Sequence, residues 1–222
     1  MGLSARSYRN IIGANDRVNV GVIGFSDRFR SSLLPSFVNL HKELNFDMVA
    51  VSDIWKKRRE DGQAYLKKQL GHDITACVNN EALYDLKNID AVIISTADFQ
   101  HALHTVEAVK AGKDTYTEKP LAETMEDARA VLKAVKDSGK IVQIGSQRRS
   151  GATYKAAYDF IQEGKFGPIV MVELIWNVNQ PGRWRRPSLV PQLKEEDTDW
   201  KRFLLNRPFE KFDPRKYLEF RL

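Results

Sequence analysis

Between residues 18 and 144 the chain repeatedly alternates short β-branched runs with longer stretches of helical periodicity. The runs are Val18–Gly24, Phe46–Val51, Ala91–Thr96, Thr115–Thr117 and Ile141–Ile144. Between them lie Leu33, Leu34, Phe37, Val38 and Leu40 at helical spacing, a charged helix over Trp55–Leu70, and a short one over Glu81–Leu86. A further helix opens at His101, carries Ala102, Val106 and Val109 on one face, and stops at Gly112. The next begins behind the N-cap Thr124, turns Ala128, Val131, Leu132 and Val135 inward, and stops at Gly139. Ala91–Ile94 is apolar at every position, as a strand covered on both faces requires. Strands that alternate with helices in this way solve the burial problem as a doubly wound parallel α/β sheet. Such a sheet binds its ligands just beyond the carboxyl ends of its strands.

Composition narrows the partners. The 222 residues are 42% hydrophobic and 29% charged, as in a water-soluble globular protein of one or two domains. The net charge of +6 raises the question of nucleic acid. The basic residues are dispersed among 29 acids, however, and neither zinc-finger spacing nor an RNP-type motif is present, so no nucleic-acid partner is expected. The clusters Lys56–Arg59 and Arg183–Arg186 read as solvated faces. One cysteine, Cys77, leaves no intrachain disulfide and no CxxC metal site. His101 and His104 lack a third ligand, so no metal is expected; the plain alternative for them is a helix start with two solvated imidazoles. No apolar run approaches the ~18–20 residues of a membrane span. Met1–Asn15 lacks the apolar core of a signal peptide, which reads as cytoplasmic, or as periplasmic if an export leader has been removed.

The first strand, turn and helix have the layout of a dinucleotide site, in which helix N-terminal amides hold a pyrophosphate. Where Gly-x-Gly-x-x-Gly is expected, the chain reads Gly24-Phe25-Ser26-Asp27-Arg28-Phe29. Only the first glycine stands. The Ser26 hydroxyl can itself donate to a phosphate, and Phe29 either holds the helix off the sheet or packs into the core between them. At the tip of the second strand, Asp53 offers a carboxylate to both hydroxyls of a ribose. Further on, Glu118-Lys119-Pro120 follows the fourth run directly and carries a lysine into a tight turn before a helix.

Three strand ends in order now become specific: Ser95-Thr96-Ala97-Asp98 with His101, then Glu118-Lys119-Pro120, then Gly145-Ser146-Gln147-Arg148-Arg149. Together they resemble the Gfo/Idh/MocA family, that of glucose–fructose oxidoreductase and inositol dehydrogenase. The resemblance implies a Rossmann domain for NAD, with NADP possible, followed by a substrate domain with an open sheet, in a protein expected to be a homo-oligomer. It implies that Gly24, Phe25, Ser26, Asp27 and Arg28 surround the pyrophosphate and Asp53 the adenosine ribose. Ser95, Thr96, Asp98 and His101 would edge the nicotinamide half, with Glu118 and Gln147 further along. It places Lys119 beside nicotinamide and substrate, often with a cis bond before Pro120, as the group that takes the proton of a sugar or polyol hydroxyl while hydride leaves. A lysine near a cationic nicotinamide should have a lowered pKa, which suits it to base work.

The residues divide into an irregular segment 1–16, a nucleotide domain 17–150 and a part of a substrate domain 151–222. In the last, Tyr154, Ala157, Phe160 and Ile161 mark a helix ending at Gly164, and Ile169–Trp176 reads as a long strand. The loop Pro181–Pro187 suits a surface turn or, by the resemblance, a cover over the sugar pocket, which would give Arg149, Trp184 and Arg185 to the substrate. Phe220-Arg221 resembles the family's Trp-Arg pair, whose arginine reaches the cofactor. No histidine follows His104, although relatives have a downstream Asp-x-x-x-His pair. The chain therefore reads as the N-terminal portion of a longer enzyme, incomplete or inactive by itself, and binding NAD(H) weakly or not at all. Two other readings stand beside the dehydrogenase: NAD-assisted glycoside cleavage, and a non-catalytic dinucleotide- or sugar-binding remnant.

Overall fold

The structure, a computed structural model, describes residues 17–165 and 167–221. The segment 1–16 lies outside the described residues. Six strands form one parallel sheet: β1 (Val18–Ile23), β2 (Phe46–Ser52), β3 (Thr75–Cys77), β4 (Ala91–Ile94), β5 (Asp114–Thr117) and β6 (Val142–Ile144). Their spatial order is β3-β2-β1-β4-β5-β6, the doubly wound arrangement whose direction reverses between β1 and β4. β3 went unread in the sequence because Thr75–Cys77 is only three residues long and carries no alternation.

Helices cover both faces. A π-helical turn, Phe29–Leu33, runs into α1 (Leu34–Leu40), followed by α2 (Lys56–Leu70) and α3 (Asn80–Tyr84). Beyond β4 come α4 (His101–Lys110) and α5 (Met125–Ser138), the latter capped by the Thr124 hydroxyl, which accepts the Asp127 N–H. The alternation of the strands, shifted in β2 by an irregularity in its pairing with β1, sorts their side chains between two cores. Val20, Val22, Met48 and Val51 face Phe25, Phe29, Leu34, Phe37 and Leu66. Ile23, Ala50, Val92 and Ile94 face Leu83, Ile89 and Ala108. Phe29 is fully buried, so the residue in place of the third glycine fills the space between helix and sheet.

The strand expected over Ile169–Trp176 does not form. These residues have no regular structure, and Val170 and Leu174 are 93% and 92% exposed. A strand must pair its backbone groups with a neighbour, and among the described residues none lies alongside. The preceding helix, α6 (Ala152–Gln162), forms where its periodicity put it but buries no residue.

Downstream, the chain returns to the sheet. Thr198 bridges to Trp55, and the Asp199 N–H donates to the Ile54 carbonyl at 3.2 Å. Two short helices, α7 (Trp200–Leu204) and α8 (Pro214–Leu218), build a third core with Ala97 and Phe99, joined by Ile54, Phe212, Tyr217 and Phe220. The Gln100 side chain donates to the Phe203 carbonyl at 2.8 Å within it. Residues 198–220 are thereby seated on the carboxyl edge of the sheet.

Candidate functional site

Pairing continues one residue beyond most of the strands. Gly24 N–H donates to Ser52 O at 2.8 Å, Ser95 N–H to Ile23 O at 2.9 Å, Glu118 N–H to Ile94 O at 3.0 Å and Gly145 N–H to Thr117 O at 2.8 Å. Asp53, Thr96, Lys119 and Ser146 therefore leave the sheet in a row. Above that row lies a cleft of about 950 Å³. It is lined by Gly24, Phe25, Ser26, Asp27 and Arg28, by Asp53, by Ser95, Thr96, Asp98 and His101, and by Glu118, Lys119, Gln147 and Arg149. Trp184 and Arg221 line it from the later chain. Arg185, expected on the substrate, does not: its guanidinium donates to Glu219 at 3.1 Å.

The first loop explains its own sequence. Gly24 has φ +85°, and a Cβ there would come within 2.8 Å of Thr96 Cγ2 and 3.0 Å of the Ser95 carbonyl. Only glycine fits. Ser26 Oγ accepts the Phe29 N–H at 3.1 Å and lies 2.7 Å from Ser95 Oγ. Its proton is free for a ligand when Ser95 is the donor of that pair. The side chain of Phe25 points into the core, while its N–H donates to Asp53 Oδ2 at 2.9 Å.

Asp53 is 8% exposed, and its Oδ1 accepts the Trp55 N–H at 2.9 Å, with the Tyr217 hydroxyl at 3.4 Å. Burial pushes its carboxyl pKa up, against the pull of the Trp55 and Phe25 amides, Arg58 and Tyr217. With Trp55 and Tyr217 both on Oδ1, it is Oδ2 that keeps a second lone pair for a further donor. Asp27 is held between two arginines, Arg58 Nη2 at 3.0 Å and Arg186 Nε at 3.1 Å. Burial pushes that carboxyl up, but the two guanidinium groups outweigh it and the pKa falls below its ordinary value. Arg58 and Arg186 thus correct the reading of both basic clusters as solvated faces. Arg59 also folds back, donating to the Asp53 carbonyl at 2.8 Å. Short-range sequence showed charge in these clusters but not the acid and carbonyls that would draw it inward.

At the other end, Arg28 reaches across the cleft to Glu118 Oε1 at 3.1 Å, and its Nε is buried without a partner among the described residues. Thr96 Oγ1 is orphaned in the same way. The Lys119–Pro120 peptide is cis. Lys119 is exposed at the cleft and makes no hydrogen bond or ion pair among the described residues. Arg221 pairs with Asp98 at 2.8 Å and lies 4.3 Å over the Trp184 ring. His101 and His104 are both buried, which overturns the solvated alternative. His101 Nδ1 is 2.7 Å from the Pro120 carbonyl and its Nε2 3.3 Å from the Thr96 carbonyl. His104 Nδ1 meets Asn80 Nδ2 at 3.0 Å and Glu107 Oε2 at 3.1 Å. Among the described residues no group of His, Cys, Asp and Glu is placed to hold a metal ion, and no helix is long and apolar enough to cross a membrane.

A doubly wound sheet with a positive-φ glycine, an acid at the end of β2 and a cleft across its switch point defines a nucleotide-binding Rossmann protein. Residues 18–146 match the family profile described as an oxidoreductase family with an NAD-binding Rossmann fold. The chain is 32% identical over 157 residues to 1,5-anhydro-D-fructose reductase of Ensifer adhaerens, covering 66% of this chain and 46% of that protein. It is 32% identical over 197 residues to inositol 2-dehydrogenase of Salmonella paratyphi B, covering 86% and 54%. Among solved structures it resembles the WlbA dehydrogenase of Bordetella pertussis, solved with NADH and UDP-GlcNAcA. That likeness has a TM-score of 0.61 and 21% identity and covers 68% of this chain and 42% of that one. This chain belongs to the Gfo/Idh/MocA oxidoreductase family. It spans about half the length of the curated relatives it matches.

Proposed function

We propose that this chain carries the cofactor half of an NAD(P)-dependent oxidoreductase acting on a sugar or polyol hydroxyl. The observation that carries the reading is the convergence of Gly24, Asp53, Thr96 and Lys119 on one cleft at the switch point of the sheet. The residues fit a dinucleotide. Gly24 allows close backbone approach, Arg28 Nε and Thr96 Oγ1 are buried polar atoms in want of a partner, and Arg58 and Arg186 supply positive charge. Asp53 would hold the adenosine ribose through the position left on Oδ2, which favours NAD, since a 2′-phosphate would meet the carboxylate. Ser26 and Arg28 would meet the pyrophosphate, and Thr96, Asp98, Glu118 and Gln147 would edge the nicotinamide half, with Arg221 over it.

When bound, the cofactor supplies the hydride acceptor or donor. Lys119 is left to bind the reacting hydroxyl and take or return its proton through Nζ, which no other side chain among the described residues occupies. Arg149 and Trp184 border the space beyond it and would position the sugar ring. The curated relatives act on an anhydro-sugar and on inositol, and this supports a polyhydroxylated substrate. Among the described residues no acid is paired with Lys119.

The test is protection of Lys119. The chain is acylated with an amine reagent, with and without saturating NADH, and the Lys119 peptide is quantified by mass spectrometry. Labelling of Lys119 should fall several-fold on NADH binding while other exposed lysines stay constant. Bound NADH with unchanged Lys119 labelling would remove Lys119 from the nicotinamide end.

A further inference from the structure

We propose that His101 is a positioning residue for the Lys119 turn: its buried imidazole grips the Pro120 carbonyl and sets where Lys119 stands, and it does not touch the cofactor. The inference rests on the reading of Lys119 given above.

The ring is 1% exposed, and both nitrogens point at backbone carbonyls, which only accept. At 2.7 Å, the Pro120 contact needs the hydrogen on Nδ1. In the neutral ring Nε2 then bears a lone pair facing the Thr96 carbonyl at 3.3 Å, and the donor capacity of the side chain is spent on the turn.

The other side of the turn is held from the same place. Thr105 Oγ1 lies 2.7 Å from the His101 carbonyl, to which it can donate, and 2.8 Å from Thr117 Oγ1, all three residues being buried. The first turn of α4 therefore fixes β5 at Thr117 and the chain beyond it at Pro120. Lys119 lies between the two anchors. Because its own side chain has no partner among the described residues, the backbone from 117 to 120 sets where the lysine is rooted and the direction in which it leaves the turn. Asp98 and His104 are the charged or titratable neighbours of the ring, and neither hydrogen-bonds to it.

Two measurements on the whole chain test this. In histidine-labelled protein, nitrogen NMR should show His101 as the Nδ1–H tautomer, assigned as the signal lost in His101→Asn. The Nε2–H tautomer would overturn the proposal. By hydrogen exchange, His101→Leu should speed the peptide 117–124 about tenfold, the factor for one buried hydrogen bond, and leave 46–52 unchanged. His101→Asn, which keeps an N–H near the position of Nδ1, should restore most of that protection. Unchanged exchange at 117–124, or acceleration that is equal throughout, would overturn it. So would a fall in NADH affinity with 117–124 unaffected, which would make His101 a cofactor contact. Neither measurement needs a substrate, so absence of NADH binding would sink the oxidoreductase reading while the tautomer and the exchange at 117–124 still decide this one.

Discussion

Asp53 ties several segments together and is proposed to hold a ligand as well. Two of its acceptor positions hold Phe25 and Trp55, and so fix the entrances to the first loop and to α2. A third has the Tyr217 hydroxyl at 3.4 Å, which leaves one on Oδ2. Asp53→Ala should therefore lower NADH affinity about ten- to hundred-fold and NADPH affinity little, the range for a charged buried hydrogen bond of about 1.5–3 kcal/mol. Equal losses for both cofactors in a calorimetric titration would take Asp53 off the ribose. Gly24, Asp53 and Lys119 were legible in the sequence because each is fixed by local rules: a turn that only glycine enters, a strand tip, a residue before proline. Arg58, Arg186 and Tyr217 were not. They reach the site across 31, 159 and 164 residues of sequence, and no local pattern encodes such a contact.

Among the elements, the strand–turn–helix from β1 to α1 departs furthest from the fingerprint and packs most tightly. Phe29 is fully buried and its ring lies 5.8 Å from that of Phe25. Removing it should leave a cavity: Phe29→Gly should cost about 3–5 kcal/mol, as Phe→Ala does in other cores. A thermal melt unchanged from that of the parent would show that the helix is held by something else. The start of α4 carries a pH dependence. Burial pushes the His101 pKa down, against the Pro120 and Thr96 carbonyls and Asp98, so the unfolded chain binds the proton more readily. The resulting stability is complete above the ordinary imidazole value of 6.5 and is lost as pH falls towards the folded value. Urea unfolding should show a slope in that window that flattens in His101→Asn. A slope identical in the variant would assign the effect to other groups. Five of the six strands were legible as β-branched or apolar runs bounded by turn residues and helical stretches. Ile169–Trp176 has the same signature but lacks a neighbour, and composition cannot say whether a neighbour exists.

At the scale of the whole molecule, the described residues form a cleft along the carboxyl edge of the sheet and leave much apolar surface uncovered beyond it. Val170, Met171, Val172, Leu174, Ile175 and Trp176 are all exposed, as are Tyr154 and Tyr158 of α6. The doubly wound sheet followed from the alternation of strands and helices, and the place of its cleft from where such sheets bind ligands. The return of residues 198–220 onto the carboxyl edge did not, because short helices rich in aromatic residues can pack on either part of a chain. That return brings Tyr217 to the cleft, which Trp184 and Arg221 also line from the later chain. The central claim is that this cleft accepts a nicotinamide dinucleotide. Trp176 and Trp184 both line it, so bound NADH should quench protein fluorescence and emit by energy transfer. A titration of the chain with NADH should give a weak but saturable transfer signal, with one site per chain and displacement by NAD. A signal that rises linearly without saturation, and that NAD does not displace, would contradict the account.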